Sequence, residues 1–243
     1  MNLRWLNLSL VAIVAGLCSG GCHVAPGRPE AVVTRPDQVT DFRVLYKQNC
    51  AACHGEDGRY GDAISLDNPA YLAIAGTANI QKVTADGVPG TLMPAFAKSQ
   101  GGMLTDQQVA VLAQGVVTAW GRSSALGGHT APPYASSTVG DPAAGEKAYT
   151  TFCASCHGAD GTGVVQGKLH TGSIVDPSYL ALISNQGLRS LILAGQPHEG
   201  MPDWRFDLQG PAARSLTDQE ITDIVAWLAS HRVTTPGEFY PHS

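Results

Sequence analysis

The sequence predicts an all-α protein made of two tandem copies of one small helical unit. Three observations carry that reading. A six-residue motif occurs twice, as Cys50-Ala51-Ala52-Cys53-His54-Gly55 and as Cys153-Ala154-Ser155-Cys156-His157-Gly158. Further pairs recur in the same order: Pro69-Ala70-Tyr71-Leu72 with Pro177-Ser178-Tyr179-Leu180, Met93-Pro94 with Met201-Pro202, and Leu104-Thr105-Asp106-Gln107 with Leu216-Thr217-Asp218-Gln219. Tyr71 to Met93 and Tyr179 to Met201 are both 22 residues, so the repeat keeps register without gaps. Third, Thr105 with Gln108 and Thr217 with Glu220 each spell a capping box ahead of an apolar run, which starts a helix at the same place in both copies.

Composition agrees. The chain has 243 residues, 44% of them apolar, enough for one large domain or two small ones. Only 14% are charged, against 28 Gly and 15 Pro, which argues against a coiled coil or long rod. The net charge is −5 with no Lys/Arg cluster, and this argues against a nucleic-acid binder. The split is −2 over residues 37–122 and −4 over 141–232; such a surface suits a basic docking partner or is simply solvated.

Residues 1–21 read as an address. Arg4 precedes an apolar run, Leu6 to Leu17, of about 12 residues, short of the roughly 20 that span a bilayer. A secretory signal is expected, with a retained membrane anchor as the alternative. Ser19-Gly20-Gly21-Cys22 resembles the lipobox of bacterial lipoproteins, although Ser19 stands where Leu is usual. That resemblance implies lipidation of Cys22 and a membrane-anchored protein of the bacterial periplasm; ordinary cleavage nearby would leave it soluble there. Residues 22–36 then read as a tether.

The first unit is placed at 37–122 and the second at 141–232, joined by 123–140, a Ser/Gly/Pro/Thr-rich stretch without apolar periodicity that reads as an exposed linker. Residues 233–243 read as a polar tail. A helix is expected to lead into each Cys pair, over 38–48 and 143–151. The last helix of the second unit carries Ile221, Ile224, Val225 and Leu228 at helical spacing. Leu104 with Val109, and Leu216 with Ile221, stand where hydrophobic staples belong. Glycines after each His (Gly55, Gly58, Gly61; Gly158, Gly161, Gly163) predict tight loops.

Cys-x-x-Cys-His is the attachment signature of c-type haem. Two thiols three residues apart reach the two vinyl groups of one porphyrin, and the next His is placed to ligate the iron. Met93 and Met201, each before Pro and ahead of the last helix, are candidates for the sixth ligand. Their rivals are Met103 in the first unit, and His170 and His198 in the second. Two other uses of Cys-x-x-Cys fit this chain poorly. One four-cysteine zinc site would have to join pairs 103 residues apart, and a thioredoxin-like redox pair expects a βαβ context that is absent.

In these motifs and their order both units resemble the class-I cytochromes c. The resemblance implies an all-α pair of tandem cytochrome c domains, each folded around one covalently bound haem c. Cys50, Cys53, Cys153 and Cys156 would carry the thioether links, with His54 and His157 as proximal and Met93 and Met201 as distal iron ligands. It implies single-electron transfer in a respiratory chain rather than catalysis. The chain would act as a carrier or as an electron-delivery subunit, with a quinol-oxidising complex, terminal oxidase or dehydrogenase as partner. A di-haem peroxidase or a haem-based sensor would instead need one open iron site.

In that family a Gly on the first helix crosses an aromatic on the last. Gly145 and Trp227 keep this in the second unit, but the matching residues in the first are Phe42 and Gly115. An exchange of the large and small residues between helices is expected to keep the crossing close. Tyr46 and Tyr149 read as aromatic partners in the same junction, Trp120, Trp204 and Trp227 as core or haem packing, and Tyr71 and Tyr179 as packing or propionate contacts. Arg189, aligned with Gln81, is expected to pair with a propionate, and His231 to suit a helix C-terminus.

Overall fold

The computed structural model describes residues 33–167, 169–205 and 214–233. The signal segment, Cys22 and residues 234–243 of the tail lie outside the described residues. The chain divides into two compact units, Met1–Gln38 and Val39–Ser243. The described part of the first holds a single 3-10 turn at Pro36–Gln38. Everything below concerns the second.

Among the described residues this unit is all-α apart from one short hairpin. Helix α1 spans Phe42–Asn49. It starts later than the expected residue 38 because Asp41 caps it, its Oδ1 accepting from Val44 N at 2.9 Å. Cys50 ends α1 and opens the single turn α2, Ala51–His54. Helix α3, Pro69–Asp86, is broken at Gly76, whose φ of 66° no side chain adopts readily. Helix α4 is Asp106–Trp120.

The second copy repeats the plan. Helix α5, Pro142–Phe152, leads through Cys153 into the turn α6, Ala154–His157. Where α3 has its break, the second copy has two helices, α7 (Pro177–Leu182) and α8 (Asn185–Ala194), with Ser184 capping the latter. Helix α9 is Asp218–Ser230. Both capping boxes form as the sequence predicts: Thr105 with Gln108, and Thr217 with Glu220. The ends of both staples are packed, with Val109 and Ile221 fully buried.

The hairpin pairs β1, Val164–Gln166, with β2, Leu169–Thr171, antiparallel. It is an insertion. Gly58 O accepts from Leu66 N, and Gly161 O accepts from Ile174 N, so a closure made over eight residues in the first copy needs thirteen in the second.

Each copy builds its own core. Leu45, Tyr46, Leu72, Leu112 and Val116 fill the first, and Tyr149, Leu180, Leu193, Trp204 and Ile224 the second. Each fully buried aliphatic side chain contributes about 1.5–3 kcal/mol. The cores touch: Ala194 of α8 belongs to the first, and Ile74 of α3 packs on the second.

The segment 123–140 is anchored rather than free. Arg189, 3% exposed, donates to the carbonyls of Pro133 and Tyr134, to Thr222 Oγ1 and to Asp218. A buried guanidinium needs its donors satisfied, and the linker carbonyls supply the acceptors. Arg189 is thus committed to the linker, which corrects the expectation of a propionate partner. Arg205 adds a bond to Ala125 O, and the Tyr71 hydroxyl meets Tyr134. Among the described residues no helix is long and apolar enough to cross a membrane.

Candidate functional site

Each Cys-x-x-Cys-His motif folds as the junction of two helices. Cys50 N donates to Tyr46 O, and His54 N returns to Cys50 O. Cys153 N and His157 N do the same with Tyr149 O and Cys153 O. A single turn thus puts two thiols and an imidazole on one short stretch. The tyrosines pin it: Tyr46 OH donates to Gly55 O at 2.9 Å, and Tyr149 OH to Gly158 O. Gly55 must be Gly, since a Cβ there would lie 1.8 Å from Arg59 O. An indole closes each loop from behind, Trp120 against Gly58 and Trp227 against Gly161.

The helix crossing beside the motif is close in both copies. A Cβ on Gly115 would sit 2.1 Å from the Phe42 ring, and one on Gly145 2.0 Å from Asp223 O and 2.9 Å from Trp227 Cβ. The large and small residues have exchanged helices, as the sequence predicts. Tyr149 stacks on Trp227 with centroids 4.2 Å apart. Tyr46 instead meets two rings, Trp120 at 5.1 Å and Phe42 at 5.7 Å.

The donor set fits a covalently held haem. All four cysteines are free thiols, so neither pair is spent on a disulfide. Burial, with a lesser push from its neighbouring cysteine, raises Cys50 to about 11 and Cys153 to about 12. A thioredoxin-type nucleophile needs the opposite shift. Burial lowers the pKa of His54 and of His157, favouring the neutral imidazole that can ligate iron. His54 Nδ1 donates to Ile64 O at 2.8 Å, which fixes the tautomer and leaves Nε2 for a metal. His157 Nδ1 is buried without a hydrogen-bond partner among the described residues. In the first copy the acceptor, Ile64, lies ten residues after His54; ten residues after His157 the chain is in the turn of the hairpin. Among the described residues no three His, Cys, Asp or Glu side chains converge to hold a bare metal ion.

Both methionines lie on loops that close on themselves. Val88 N donates to Met93 O at 3.0 Å. Gln196 and Met201 exchange a pair of backbone bonds, at 2.8 and 3.0 Å. A left-handed Gly enters each loop, Gly87 and Gly195. Both Met side chains are half-buried, whereas Met103 is 81% exposed. Of the rival histidines, His170 is exposed on the hairpin, and His198 Nε2 lies 3.1 and 3.2 Å from the two Asp67 carboxylate oxygens. His231 follows α9, its Nδ1 2.9 Å from Trp227 O. Sequence reasoning missed Asn68, whose side chain joins the two copies; Asn before Pro signals a helix cap but not the second contact.

Comparison with known proteins agrees with this chemistry. The model of the cytochrome c family matches residues 142–232. That of the cbb3-type cytochrome c oxidase subunit III matches residues 37–114. The cbb3-type cytochrome c oxidase subunit CcoP of Azospirillum sp. (strain B510) is 28% identical over 134 residues, 51% of this chain and 40% of that protein. The subunit FixP of the same oxidase type from Sinorhizobium medicae (strain WSM419) is 26% identical over 227 residues, 87% of this chain and 71% of that protein. Among solved structures, the Kuenenia stuttgartiensis reducing HAO-like protein complex shares 20% identity over 82% of this chain and 99% of its own, with a TM-score of 0.41, too loose a likeness to define a shared arrangement. The chain is an all-α c-type cytochrome with two haem-attachment sites. Each half of it matches a cytochrome c family model, and its two Cys pairs, Cys50 with Cys53 and Cys153 with Cys156, fit two covalently bound haems c.

Proposed function

We propose that this cytochrome delivers single electrons to a terminal oxidase of the respiratory chain, as a subunit or a tightly associated donor. Residues 37–122 and 141–232 are the two haem domains, and the lipid-modified Cys22 holds the chain at the periplasmic face of the membrane. The observation that carries the electron-transfer reading is the pair of closed Met loops, one per domain, each ahead of its capped final helix. The relatives named above are oxidase subunits, which supports the choice of partner.

Bound haem supplies a reversible one-electron ferric/ferrous couple. The protein's own residues do the rest. His54 and His157 would hold the iron through neutral imidazoles, with Ile64 O orienting the first so that its Nε2 is free to ligate. Met93 and Met201 supply thioether sulfur, which favours the ferrous state and raises the potential. Tyr46, Trp120, Tyr149 and Trp227 pack each attachment turn against its helix pair and exclude water. Held by one His and one Met each, the irons would exchange electrons without any residue of the chain having to move a proton.

The test is optical. The haem-loaded protein is recorded oxidised, reduced, and reduced under carbon monoxide. A low-spin spectrum with the iron–thioether charge-transfer band, unchanged by carbon monoxide, is expected. Immediate carbon monoxide binding at one haem would overturn the closed-site reading in favour of a peroxidase or sensor. For the partner, the full chain should co-purify with a haem–copper oxidase from detergent-solubilised membranes and be oxidised by it. Failure of both would leave a free carrier.

A further inference from the structure

The N-caps of α3 and α7 occupy matching positions, yet they differ. Asn68 Oδ1 accepts from Ala70 N at 3.0 Å and Tyr71 N at 3.2 Å. Asp176 Oδ1 accepts likewise from Ser178 N at 2.8 Å and Tyr179 N at 3.0 Å. Asp176 is exposed and a carboxylate has nothing to donate. Asn68 is 3% exposed, and its amide nitrogen donates to Ala194 O and to Gly195 O, both at 3.0 Å. All four hydrogen-bonding positions of this side chain are used, and the donated pair crosses into the other haem domain.

The two carbonyls stand at the entry of the Met201 loop. Ala194 ends α8, Gly195 turns the chain with φ 65°, and the paired bonds between Gln196 and Met201 then close the loop. A second contact grips the same loop: His198, in the 3-10 turn Pro197–Glu199, meets the Asp67 carboxylate and packs on the Tyr60 ring at 5.5 Å. The Met93 loop is held from within its own copy, by Val88 N on Met93 O and by Met93 N on Thr91 Oγ1 at 3.2 Å.

We propose that Asn68 is a positioning residue for Met201: the first haem domain sets the geometry of the second domain's methionine loop, so the second haem's ligation and potential depend on the first domain. The inference rests on Met201 being the distal ligand.

Asn68→Ser keeps a capping oxygen and replaces both amide N–H donors with one hydroxyl on a shorter side chain, and Asn68→Asp keeps the cap with a carboxylate facing two carbonyls. Both are compared with the unaltered full-length, haem-loaded protein by potentiometric titration, charge-transfer absorbance and amide exchange. Met201→Ala assigns the midpoints and the band. In either Asn68 variant the second domain's midpoint should fall and its band weaken, while the first domain's midpoint stays. Exchange at Gln196 and Met201 N–H should quicken about tenfold, as expected for losing roughly one hydrogen bond's net worth of local stability. Unchanged midpoints and exchange in both variants would overturn the inference, and so would equal shifts at both haems. If Met201→Ala leaves the second domain's band intact, the ligand reading itself has failed. If that variant removes the band while both Asn68 variants change nothing, only the positioning role has failed.

Discussion

The two helix crossings solve one packing problem with opposite assignments. In the second domain the N-terminal helix contributes Gly145 and the C-terminal helix the indole of Trp227, which also stacks on Tyr149 and backs Gly161. In the first domain the C-terminal helix contributes Gly115, the N-terminal helix contributes Phe42, and the backing of Gly58 passes to Trp120. One side chain's work is thus divided between two. What the crossing conserves is a large residue against a small one; which helix carries which is free. The clearances still differ in kind. Gly145 is confined by the backbone oxygen of Asp223, whereas Gly115 is confined by the side chain of Phe42, whose ring atoms would stand 2.1 and 2.4 Å from a Cβ.

Transplanting the second domain's arrangement into the first tests the exchange most severely. Phe42→Gly should cost about 3 kcal/mol, from lost packing plus a helical Gly, and Gly115→Trp alone about 3 kcal/mol through overpacking. Combined, they should fall within about 2 kcal/mol of the parent, because the indole takes the space the ring vacates. Denaturant unfolding of the four proteins completes the cycle, and simple additivity would refute the exchange.

A smaller effect separates the two clearances. Gly145→Ala should cost about 3 kcal/mol, since backbone cannot give way. Gly115→Ala should cost less, about 2 kcal/mol, because the Phe42 side chain can swing aside about χ1 and Ala favours a helix over Gly by about 1 kcal/mol. Thermal melts of the two variants rank them, and equal losses would mean that Phe42 is held as rigidly as the Asp223 backbone.

The smallest contrast lies in the capping boxes. Gln108 is neutral, while Glu220 is held near 2 by hydrogen bonds from Arg214 and from Thr217, both of which lower it. A depressed carboxylate contributes stability above its unfolded pKa and loses it as pH falls, here from about 4.5 toward 2. Because Glu220 is only partly buried and its charge is screened by solvent, the loss should amount to only about 1 kcal/mol. It should be confined to the second domain and vanish in Glu220→Gln, as followed by unfolding over that pH range.

Much of this was legible in the sequence because it is local or repeated. The capping boxes, the attachment turns and the Met loops are short-range patterns, and the Phe42–Gly115 exchange could be read by aligning one copy against the other. Three features could not be read that way. The hairpin Val164–Thr171 is an insertion without a counterpart in the first copy. The destination of Arg189 is set by linker carbonyls 55 and 56 residues away, where its charge suggested a propionate. The Asn68 bridge spans 126 and 127 residues. Contacts at such separation leave no period in the chain, and a capping asparagine looks the same whether or not its amide has found a second use.

The anchored linker changes what joining two haem domains means. A free segment of this length would let each domain sample a spread of positions around the other, with encounter governed by chain statistics. Here the guanidinium of Arg189 ties Pro133 and Tyr134 to the second domain, and Tyr71 of the first reaches Tyr134. The spread collapses to one arrangement. The two attachment turns therefore stand at one separation, so the gap between bound haems would be a property of the fold rather than of diffusion on a leash.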